Sequence, residues 1–231
     1  MEATSTGVSP VSTYGPVGDP DPRRLRNARV IVLPMRGSQK LEIRHALFSE
    51  GDAADEVFEV VKGAIMVMRS LSDGRRQILD VVGPGRTVGF TARSTHECTA
   101  VALAATQVIA FNRRDALGQR HGGKDFSAVV LAEVDRLRRL ASLLGRKTAI
   151  ERLATFLAEL LDDGDRPQLV ELLLSRQEMA DHLGLVLETV SRSFLALKQR
   201  GVIARAGRTS VRVLDCSALR HIAASDRETI G

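Results

Sequence analysis

The chain has 231 residues, of which 44% are hydrophobic and 26% are charged, and its formal net charge is +5. This length allows two ordinary domains, the composition excludes a disordered chain, and the positive charge favours an anionic partner. Two cysteines are too few for a disulfide framework and no apolar run is long enough to cross a bilayer, so we expect a cytoplasmic protein without a membrane partner.

Residues 1–24 contain four prolines and several glycines, and they lack the apolar segment of a signal peptide. Because these residues offer nothing that packs against a core, we predict a flexible leader. The first folded domain is expected to begin near residue 25.

Short β-type runs recur between turn signals over residues 25–122, which predicts a β-sandwich or barrel. The runs are residues 57–61, 64–68, 77–82 and 99–111. The sharpest turn signal is Asp73 followed by Gly74, because glycine readily adopts the positive φ that a tight hairpin requires.

Apolar side chains then recur every three or four residues over 123–146, which predicts a long amphipathic helix. The apolar stripe consists of Phe126, Val130, Val134, Leu137, Ala141 and Leu144. It has two interpretations: it covers the β-domain, or it pairs with the same stripe of a second copy. The pattern alone does not choose between them.

The last segment, residues 147–231, begins with a capping box, a pattern that predicts the start of a helix. Thr148 is the cap and Glu151 is its partner. We expect this helix to end at the acidic run of residues 162–165.

A second capping box, formed by Ser175 and Glu178, predicts another helix, which Gly184 should end. A further helix is predicted over residues 187–200. Two helices joined by a short glycine turn form a helix-turn-helix, whose second helix fits the major groove of DNA.

The helix predicted over residues 187–200 carries an acid, a hydroxyl and a guanidinium opposite its apolar residues. Arg192 can donate two hydrogen bonds to guanine, Glu188 can accept one from cytosine, and Ser191 can contact a base. We therefore predict that Glu188, Ser191 and Arg192 contact bases. The residues predicted to contact phosphates are Arg176, Thr189, Lys198 and Arg208.

Two β-type runs, residues 202–203 and 211–213, flank a turn at residues 206–208 and predict a two-stranded wing. The stretch from Arg166 to Arg212 holds eight bases and four acids. This local excess of positive charge and the wing favour a DNA-binding domain over an ordinary helical hairpin.

Several motifs resemble those of the CRP/FNR superfamily of regulators. LGLVLETVSR at residues 183–192 resembles the recognition segment of the FNR branch, and SRQEMADHLG at residues 175–184 resembles its preceding helix. Motifs similar to the effector domain and to the segment after the dimerisation helix are FSEG at 48–51, VVKG at 60–63, DGR at 73–75, GRTVGF at 85–90 and ERLATF at 151–156.

The resemblance covers residues 30–215 and implies an α+β fold. Its parts are an N-terminal β-roll of the double-stranded β-helix or jelly-roll type, a dimerisation helix over 123–146, and a C-terminal winged helix-turn-helix. It implies three partners: double-stranded DNA, RNA polymerase and a second copy of the chain, with no membrane contact.

The DNA site that the resemblance implies is a palindrome like TTGAT and ATCAA separated by four bases. Leu187 stands where the cyclic-AMP-responsive branch has a further base-reading arginine, which favours FNR-type specificity. Val186 departs from the pattern, because relatives often have a Thr or Ser cap there.

The effector domain lacks residues that ligands of this superfamily need. Phe90 follows Gly89 where a cyclic-nucleotide site has glutamate, and residues 95–98, THEC, contain no arginine for the phosphate. Because Glu97 would repel a phosphate, we predict that cyclic AMP does not activate the protein. Two cysteines also cannot supply the four thiolates of an FNR-type iron–sulfur cluster.

Haem ligation would have to use His45, His96, His121 or Cys98. Isolated histidines are mostly ordinary surface or core residues, and a lone cysteine is usually a small buried hydrophobe. We therefore predict no cofactor and no metal, and we assign no redox role to Cys98 or Cys216.

The resemblance is then to the FixK type, whose members lack the cluster cysteines and control oxygen-limited, respiratory or nitrogen-oxide genes. One alternative is a regulator of the same superfamily gated by haem, nitric oxide or a small metabolite. Another is a cyclic-nucleotide-binding module that regulates a different protein. The chain has no nucleophile–base pair, metal-ligand spacing or Gly-rich phosphate loop, so we do not expect an enzyme.

Overall fold

The computed structural model describes residues 35–117 and 126–225, and the leader predicted over residues 1–24 lies outside them. The described residues form an N-terminal β-domain, one long helix and a C-terminal winged-helix domain, so the predicted α+β fold is confirmed. Within these residues, no helix combines the length and apolar character that a membrane crossing requires.

Two antiparallel four-stranded sheets build the described part of the β-domain. Their strands are β1 (Met35–Leu41), β2 (Ala46–Phe48), β3 (Glu56–Lys62), β4 (Ile65–Ser70), β5 (Arg76–Val82), β6 (Thr87–Val88), β7 (Thr99–Ala102) and β8 (Thr106–Asn112). The strand orders are β1-β8-β3-β6 and β2-β7-β4-β5. Alternating residues such as Val108 and Ala110 of β8 are buried, as expected for strands with one face on a core. A short helix, α1 (Arg113–Leu117), follows β8.

The turn between β4 and β5 is the hairpin that the sequence predicts. Gly74 has a φ of +80°, and Leu71 N donates to Arg75 O at 2.7 Å. A positive φ at this position closes the turn without the steric cost that a side chain would add.

The run predicted over residues 99–111 is two strands, β7 and β8. The chain turns at residues 103–105, where Thr106 Oγ1 donates to Ala104 O at 2.8 Å. Ala64 N also donates to Thr106 Oγ1, at 3.2 Å. This turn contains neither glycine nor proline, so the residue types that mark turns in a sequence are missing from it.

The long helix, α2 (Phe126–Arg146), is joined to the β-domain by a charge network. Asp80 of β5 pairs with Arg86 at 2.7 Å and with Arg136 at 3.2 Å. Glu133 pairs with Arg136 at 2.7 Å and with Arg86 at 3.4 Å. Two acids and two arginines therefore neutralise one another where α2 crosses β5.

The winged-helix domain contains four helices and three strands within the described residues. They are α3 (Ala149–Ala158), β9 (Gln168–Glu171), α4 (Arg176–Leu183), α5 (Leu187–Gln199), β10 (Ile203–Arg205), β11 (Ser210–Val213) and α6 (Cys216–Ala224). Both predicted capping boxes close on their carboxylate side: Thr148 N donates to Glu151 Oε2 at 2.7 Å, and Ser175 N donates to Glu178 Oε2 at 2.8 Å.

Three features of this domain differ from the sequence predictions. Helix α3 ends at Ala158, before the acidic run, because Leu160 N and Leu161 N bond to carbonyls three residues back and bring Leu160 into the core. The wing has three strands, in the order β10-β11-β9, since β9 joins the predicted pair. Helix α6 was not predicted at all.

One buried hydrophobic cluster extends from the β-domain into the winged-helix domain. It contains Met66 and Ile78 from β4 and β5 together with Leu157 and Leu183 from α3 and α4. The two domains of one chain therefore share a core, and the position of the winged-helix domain depends on the β-domain.

Candidate nucleic-acid interface

The turn between α4 and α5 sets the direction of the second helix. Ser175 Oγ accepts from Glu178 N at 3.2 Å at the start of α4. Gly184 ends α4 with a φ of +62°, a left-handed conformation in which its N–H bonds to Ala180 O. The chain then enters α5 after only Leu185 and Val186, which gives the short connection of a helix-turn-helix.

Helix α5 buries one face and exposes the other. Val190, Phe194 and Leu197 pack inward at four- and three-residue steps, as the sequence predicts. Glu188, Ser191 and Arg192 are exposed together on the opposite side of the first turns.

The three exposed polar side chains have no hydrogen-bond or ion-pair partner among the described residues. Their combined chemistry comprises an acceptor, a hydroxyl and a planar double donor, the groups that read base edges in the major groove. A surface of this kind has its hydrogen-bonding capacity available for an external partner.

Two apolar residues at the start of α5 extend the exposed surface. Val186 is 60% exposed and Leu187 is 38% exposed. Val186 occupies the N-cap position and its side chain makes no cap hydrogen bond, which agrees with the departure noted in the sequence. Exposed aliphatic groups beside Glu188 are suited to the methyl group of thymine, a contact that the sequence predictions omitted.

Arg176, one of the residues predicted to contact phosphates, is partly buried. Its guanidinium carbon is 3.1 Å from the centre of the Phe194 ring, beneath α5. Burial, and to a lesser extent the nearby Arg205, lowers the pKa of Arg176 to about 10. The side chain stays charged at neutral pH, and it joins α4 to α5 through the aromatic ring.

The other residues predicted to contact phosphates lie around the same surface. Lys198 and Arg208 are exposed, and Thr189 is partly buried. In the wing turn, Ala206 N and Gly207 N both donate to Ser210 O, at 3.4 and 3.2 Å. These bonds hold the turn that presents Arg208.

Four exposed basic residues on and around α5 have no ion-pair partner within the described part of the chain. They are Lys198, Arg200, Arg208 and Arg212. Cations that no acid neutralises keep their attraction for a polyanion, so α5 and the wing together form a basic surface.

Residues 89–98, the stretch compared with a cyclic-nucleotide site in the sequence, pack against the chain's own groups. The His96 ring stacks on Phe48 with a centroid distance of 3.7 Å, and burial lowers its pKa. A Cβ on Gly89 would lie 3.3 Å from Glu56 O, so the chain is tightly packed there. Arg93 pairs with Glu97 at 3.0 Å. An incoming phosphate would meet this carboxylate and no unpaired arginine of the loop.

The two cysteines are free thiols in environments that oppose ionisation. Burial, followed by the charges of Glu50 and Glu97, raises the pKa of Cys98. Burial also raises the pKa of Cys216, whose Sγ lies 3.2 Å from Arg166 O. Among the described residues, no three His, Cys, Asp or Glu side chains cluster as metal ligands would, and His121 lies outside those residues.

A cavity of about 340 Å³ lies where the β-domain, α2 and the winged-helix domain meet. Its walls include Arg136, Leu140 and Lys147 from the α2 side and Phe156 and His182 from the winged-helix domain. Lys147 Nζ bonds to Thr155 Oγ1 at 2.9 Å and to a backbone carbonyl, with no carboxylate in ion-pair range among the described residues.

The apolar stripe predicted on α2 separates into two parts. Val134, Leu137 and Ala141 are exposed, whereas Leu144 packs against the winged-helix core. Phe126 and Val130, the other members of the stripe, are not among the residues whose side chains the structure describes. An exposed apolar row of this kind remains uncovered in the single chain.

Two family models match the chain. The Crp-like helix-turn-helix domain matches residues 151–222, and the cyclic nucleotide-binding domain matches residues 38–119.

Known proteins match across both domains. The nitrogen fixation regulation protein FixK of Rhizobium meliloti is 35% identical, over 76% of this chain and 82% of that protein. The transcriptional activator protein FnrL of Cereibacter sphaeroides is 37% identical, over 77% of each. The structure of FixK2 from Bradyrhizobium japonicum has a TM-score of 0.72 and 30% identity, and the match covers 82% of this chain and 98% of that one.

Proposed function

The chain belongs to the CRP/FNR family of DNA-binding transcription regulators and is FixK-like, and from this we propose that it binds a palindromic site as a homodimer without a cofactor. Its homologues are regulators and not enzymes. The observation that carries the proposal is the exposed face of α5, where Glu188, Ser191 and Arg192 have no partner in the described part of the chain and the reverse face is apolar and buried.

In this proposal each group of the α5 face has a separate role. Arg192 donates to guanine O6 and N7, Glu188 accepts from a cytosine amino group, and Ser191 contacts a base or a phosphate. Leu187 and Val186 supply apolar contact to thymine methyl groups. A site such as TTGAT, with its mirror copy ATCAA, offers guanine, cytosine on the complementary strand, and thymine methyl groups within one half-site.

Phosphate contacts fix the register of α5 on the duplex. Lys198 near the end of α5 and Arg208 in the wing turn are exposed, and neither pairs with an acid among the described residues. Arg176 and Thr189 are partly buried, so we expect them to contact phosphates at the edge of the interface. Such contacts carry no sequence information but set affinity and its salt dependence.

The dimer follows from the exposed row of α2. Leu137 is 50% exposed, and Val134 and Ala141 lie about one helical turn before and after it. A second copy would cover this row in a parallel coiled-coil contact, which places two α5 helices on successive grooves of one duplex. RNA polymerase is the partner that an activator of this family would contact from such a site.

The proposal is tested with Arg192→Ala in quantitative DNA binding to a palindrome and to variants with each base pair changed. Loss of the double donor should cost about 1–3 kcal/mol and remove discrimination at one base pair per half-site. Arg93→Ala is the matched control, because it removes the same charge from the exposed, distant loop of the β-domain. A wild-type chain that binds all sequences equally would contradict the proposal.

The dimer is tested with Leu137→Glu, which adds a charge to the exposed row of α2. We expect a monomer in sedimentation analysis and weak binding to the palindrome. Leu169→Glu, a change at an equally exposed leucine of β9, is the control and should leave the mass unchanged. A Leu137→Glu chain that still sediments as a dimer would place the contact elsewhere.

The absence of a cyclic-nucleotide response is tested by titrating cyclic AMP in a calorimeter and by repeating the DNA titration with it. No heat and an unchanged DNA affinity are expected, because Glu97 would repel the phosphate and Arg93 is paired with that same carboxylate. Saturable heat accompanied by tighter DNA binding would instead identify a cyclic-nucleotide receptor.

The cavity beside Lys147 favours a second candidate, a regulator gated by a small organic acid. A volume of about 340 Å³ suits a small metabolite, and a carboxylate could bond to the Lys147 ammonium. A thermal-shift screen of short organic acids tests it: a hit that Lys147→Met abolishes supports gating, and the absence of any hit favours the ungated regulator.

A further inference from the structure

Helix α4 carries two acidic residues on the side that faces the β-domain. Glu178 accepts from Arg44, whose Nη1 lies 2.5 Å from Oε1 and whose Nη2 lies 3.3 Å from Oε2. Asp181, one turn later, accepts from Arg76 Nε at 2.7 Å. Both arginines belong to the β-domain, so two short ion pairs join it to the first helix of the DNA-binding motif, and Arg76 Nη2 also lies 3.9 Å from Glu178 Oε1.

The Glu178 carboxylate is bound to both domains at once. Only 4% of its side chain is exposed, and its Oε2 also accepts from Ser175 N, which caps α4. Although burial opposes ionisation of this carboxyl, its bonds to Arg44 and Ser175 hold its pKa below the usual value. A buried charge of this kind is tolerated only while its partner is in place.

The backbone of Arg44 is held in a conformation that suits this contact. Its φ is +68°, in the left-handed region that residues with a side chain rarely adopt. The bond from Arg44 N to Ala102 O, at 2.7 Å, keeps the residue in that conformation. Among the described non-glycine residues, Arg44 alone has a positive φ, and its side chain reaches the other domain.

The contact leaves the base-reading surface open. Besides the shared apolar core, the β-domain makes polar contacts to α4 through Arg44, Arg76 and the carbonyl of Ile78, which faces His182 Nδ1 at 3.3 Å. Glu188 and Arg192 of α5 remain exposed while these contacts are made. The docked arrangement is therefore compatible with DNA binding.

We propose that Arg44 and Arg76 are positioning residues, which hold α4 on the β-domain at the angle that matches the two α5 helices of a dimer to the spacing of the half-sites. This inference rests on the proposed function. A winged-helix domain free of the β-domain would still recognise one half-site, but its distance from the second copy would no longer be fixed. The two ion pairs then determine the preferred spacer and not the preferred base.

The test is a charge exchange between Arg76 and Asp181 in the full-length chain. Arg76→Asp, Asp181→Arg and the double variant are titrated with palindromes whose half-sites are three, four or five bases apart, and with a single half-site. We expect each single variant to lose about two- to tenfold of its preference for the best spacer, with half-site affinity retained. The double variant restores an ion pair between positions 76 and 181 and should regain part of that preference. The recovery should be incomplete, because the new carboxylate at position 76 also lies near Glu178.

Direct phosphate contact by the arginines is the competing explanation, and Asp181→Asn separates the two. If Arg76 contacts DNA, removing the neighbouring acid strengthens binding to every duplex, and Arg76→Asp lowers the salt slope by about one unit. If Arg76 positions α4, Asp181→Asn weakens spacer preference and leaves half-site affinity unchanged. The first result would overturn the inference.

Two controls keep the outcome interpretable. Arg75→Asp makes the same charge change one residue away, at a side chain that is 79% exposed and pairs only with Asp73 among the described residues, and should leave spacer preference intact. Thermal unfolding of each variant shows that the domains remain folded. A wild-type chain that binds the half-site but accepts all spacers equally overturns the inference alone, whereas one that binds no half-site overturns the proposed function as well.

Discussion

The β-domain and the winged-helix domain treat their polar groups in opposite ways. In the winged-helix domain, Glu188, Ser191 and Arg192 are exposed and have no partner within residues 35–117 and 126–225. In the ligand loop of the β-domain, Arg93 pairs with Glu97 and the His96 ring lies against an aromatic neighbour. The α5 surface leaves its hydrogen-bonding groups available for a partner, whereas the charged groups of the loop pair with each other.

The strongest polar contacts of the β-domain face the rest of the chain. Asp80 binds two arginines at the crossing of α2, and Arg44 and Arg76 bind the acids of α4. Within the described residues, the β-domain uses these charged groups to hold the rest of the chain, whereas the winged-helix domain exposes the charged groups of α5. The four predictions below test that division of roles, beginning with the largest expected effect.

The buried face of α5 should be the most sensitive to substitution. Leu197 is fully buried in the cluster that both domains share. Leu197→Ala should lower the free energy of unfolding by about 2–5 kcal/mol, through lost burial and a residual cavity. Urea denaturation followed by circular dichroism measures it.

Leu195→Ala is the matched control on the same helix, because Leu195 is 53% exposed. It should change the free energy of unfolding by less than about 0.5 kcal/mol. Equal costs at Leu195 and Leu197 would mean that α5 does not divide into a buried and a reading face.

The second prediction concerns the scaffold, at the turn between β3 and β4. Gly63 has a φ of +84°, and a Cβ there would lie 2.5 Å from Thr106 Oγ1 and 2.7 Å from Ala105 O. Gly63→Ala should cost about 1–2 kcal/mol for the left-handed backbone and about 1–3 kcal/mol more for the overlap. Thermal and urea unfolding measure the total.

Gly74→Ala isolates the backbone part of that cost. Its φ of +80° is similar, but no atom of the described residues lies within 4 Å of the Cβ position. Only the cost of about 1–2 kcal/mol is expected there. A Gly74 variant as unstable as the Gly63 variant would show that crowding at Thr106 is unimportant.

The sequence was sufficient for features that local chemistry decides. Each of these features depends on a few neighbouring residues. They are the capping box of Ser175 and Glu178, the hairpin turn at Gly74, the end of α4 at Gly184 and the buried row of α5. Such signals survive folding because the hydrogen bonds and torsions they describe are local.

The sequence was insufficient for features that distant residues decide. Strand β9 has one inward residue, Val170, and pairs with a strand some forty positions later, so no periodic pattern marks it. The stacking of Arg176 on the Phe194 ring of the next helix has no local signal either, because the two residues belong to different helices. The pairing of Arg44 with Glu178, 134 positions apart, has no local signal.

The third prediction uses the missing cap of α5. Val186 leaves the first turn without a side-chain acceptor, so Val186→Ser should raise the free energy of unfolding by about 1 kcal/mol. Val61→Ser, at an exposed position outside any helix, is the control and should give no gain. If Val186 also contacts thymine, the same variant binds DNA more weakly although it is more stable. DNA affinity and the free energy of unfolding would then change in opposite directions at one residue.

The smallest expected effect is a pH dependence at the seam between the two domains. His182 of α4 lies against Phe156, with Nδ1 facing Ile78 O, and burial lowers its pKa despite the opposing influence of that carbonyl and of Asp80. The unfolded chain therefore takes up a proton near the usual value of about 6.5, while the folded chain does not. Stability from this group is complete above that pH and falls as the pH drops toward the folded pKa.

Thermal unfolding of the wild type between pH 7.5 and 5.5 should show this loss, and His182→Gln should reduce it. His45→Gln, at an exposed histidine, controls for loss of a histidine as such. His96, whose pKa burial also lowers, remains in both variants, so the dependence should shrink and not vanish. Because the folded chain takes up this proton only at a lower pH than the unfolded chain, spacer preference should persist to a lower pH than full stability does. A spacer preference that weakens together with stability would show that the folded chain takes up the proton at the seam over the same range.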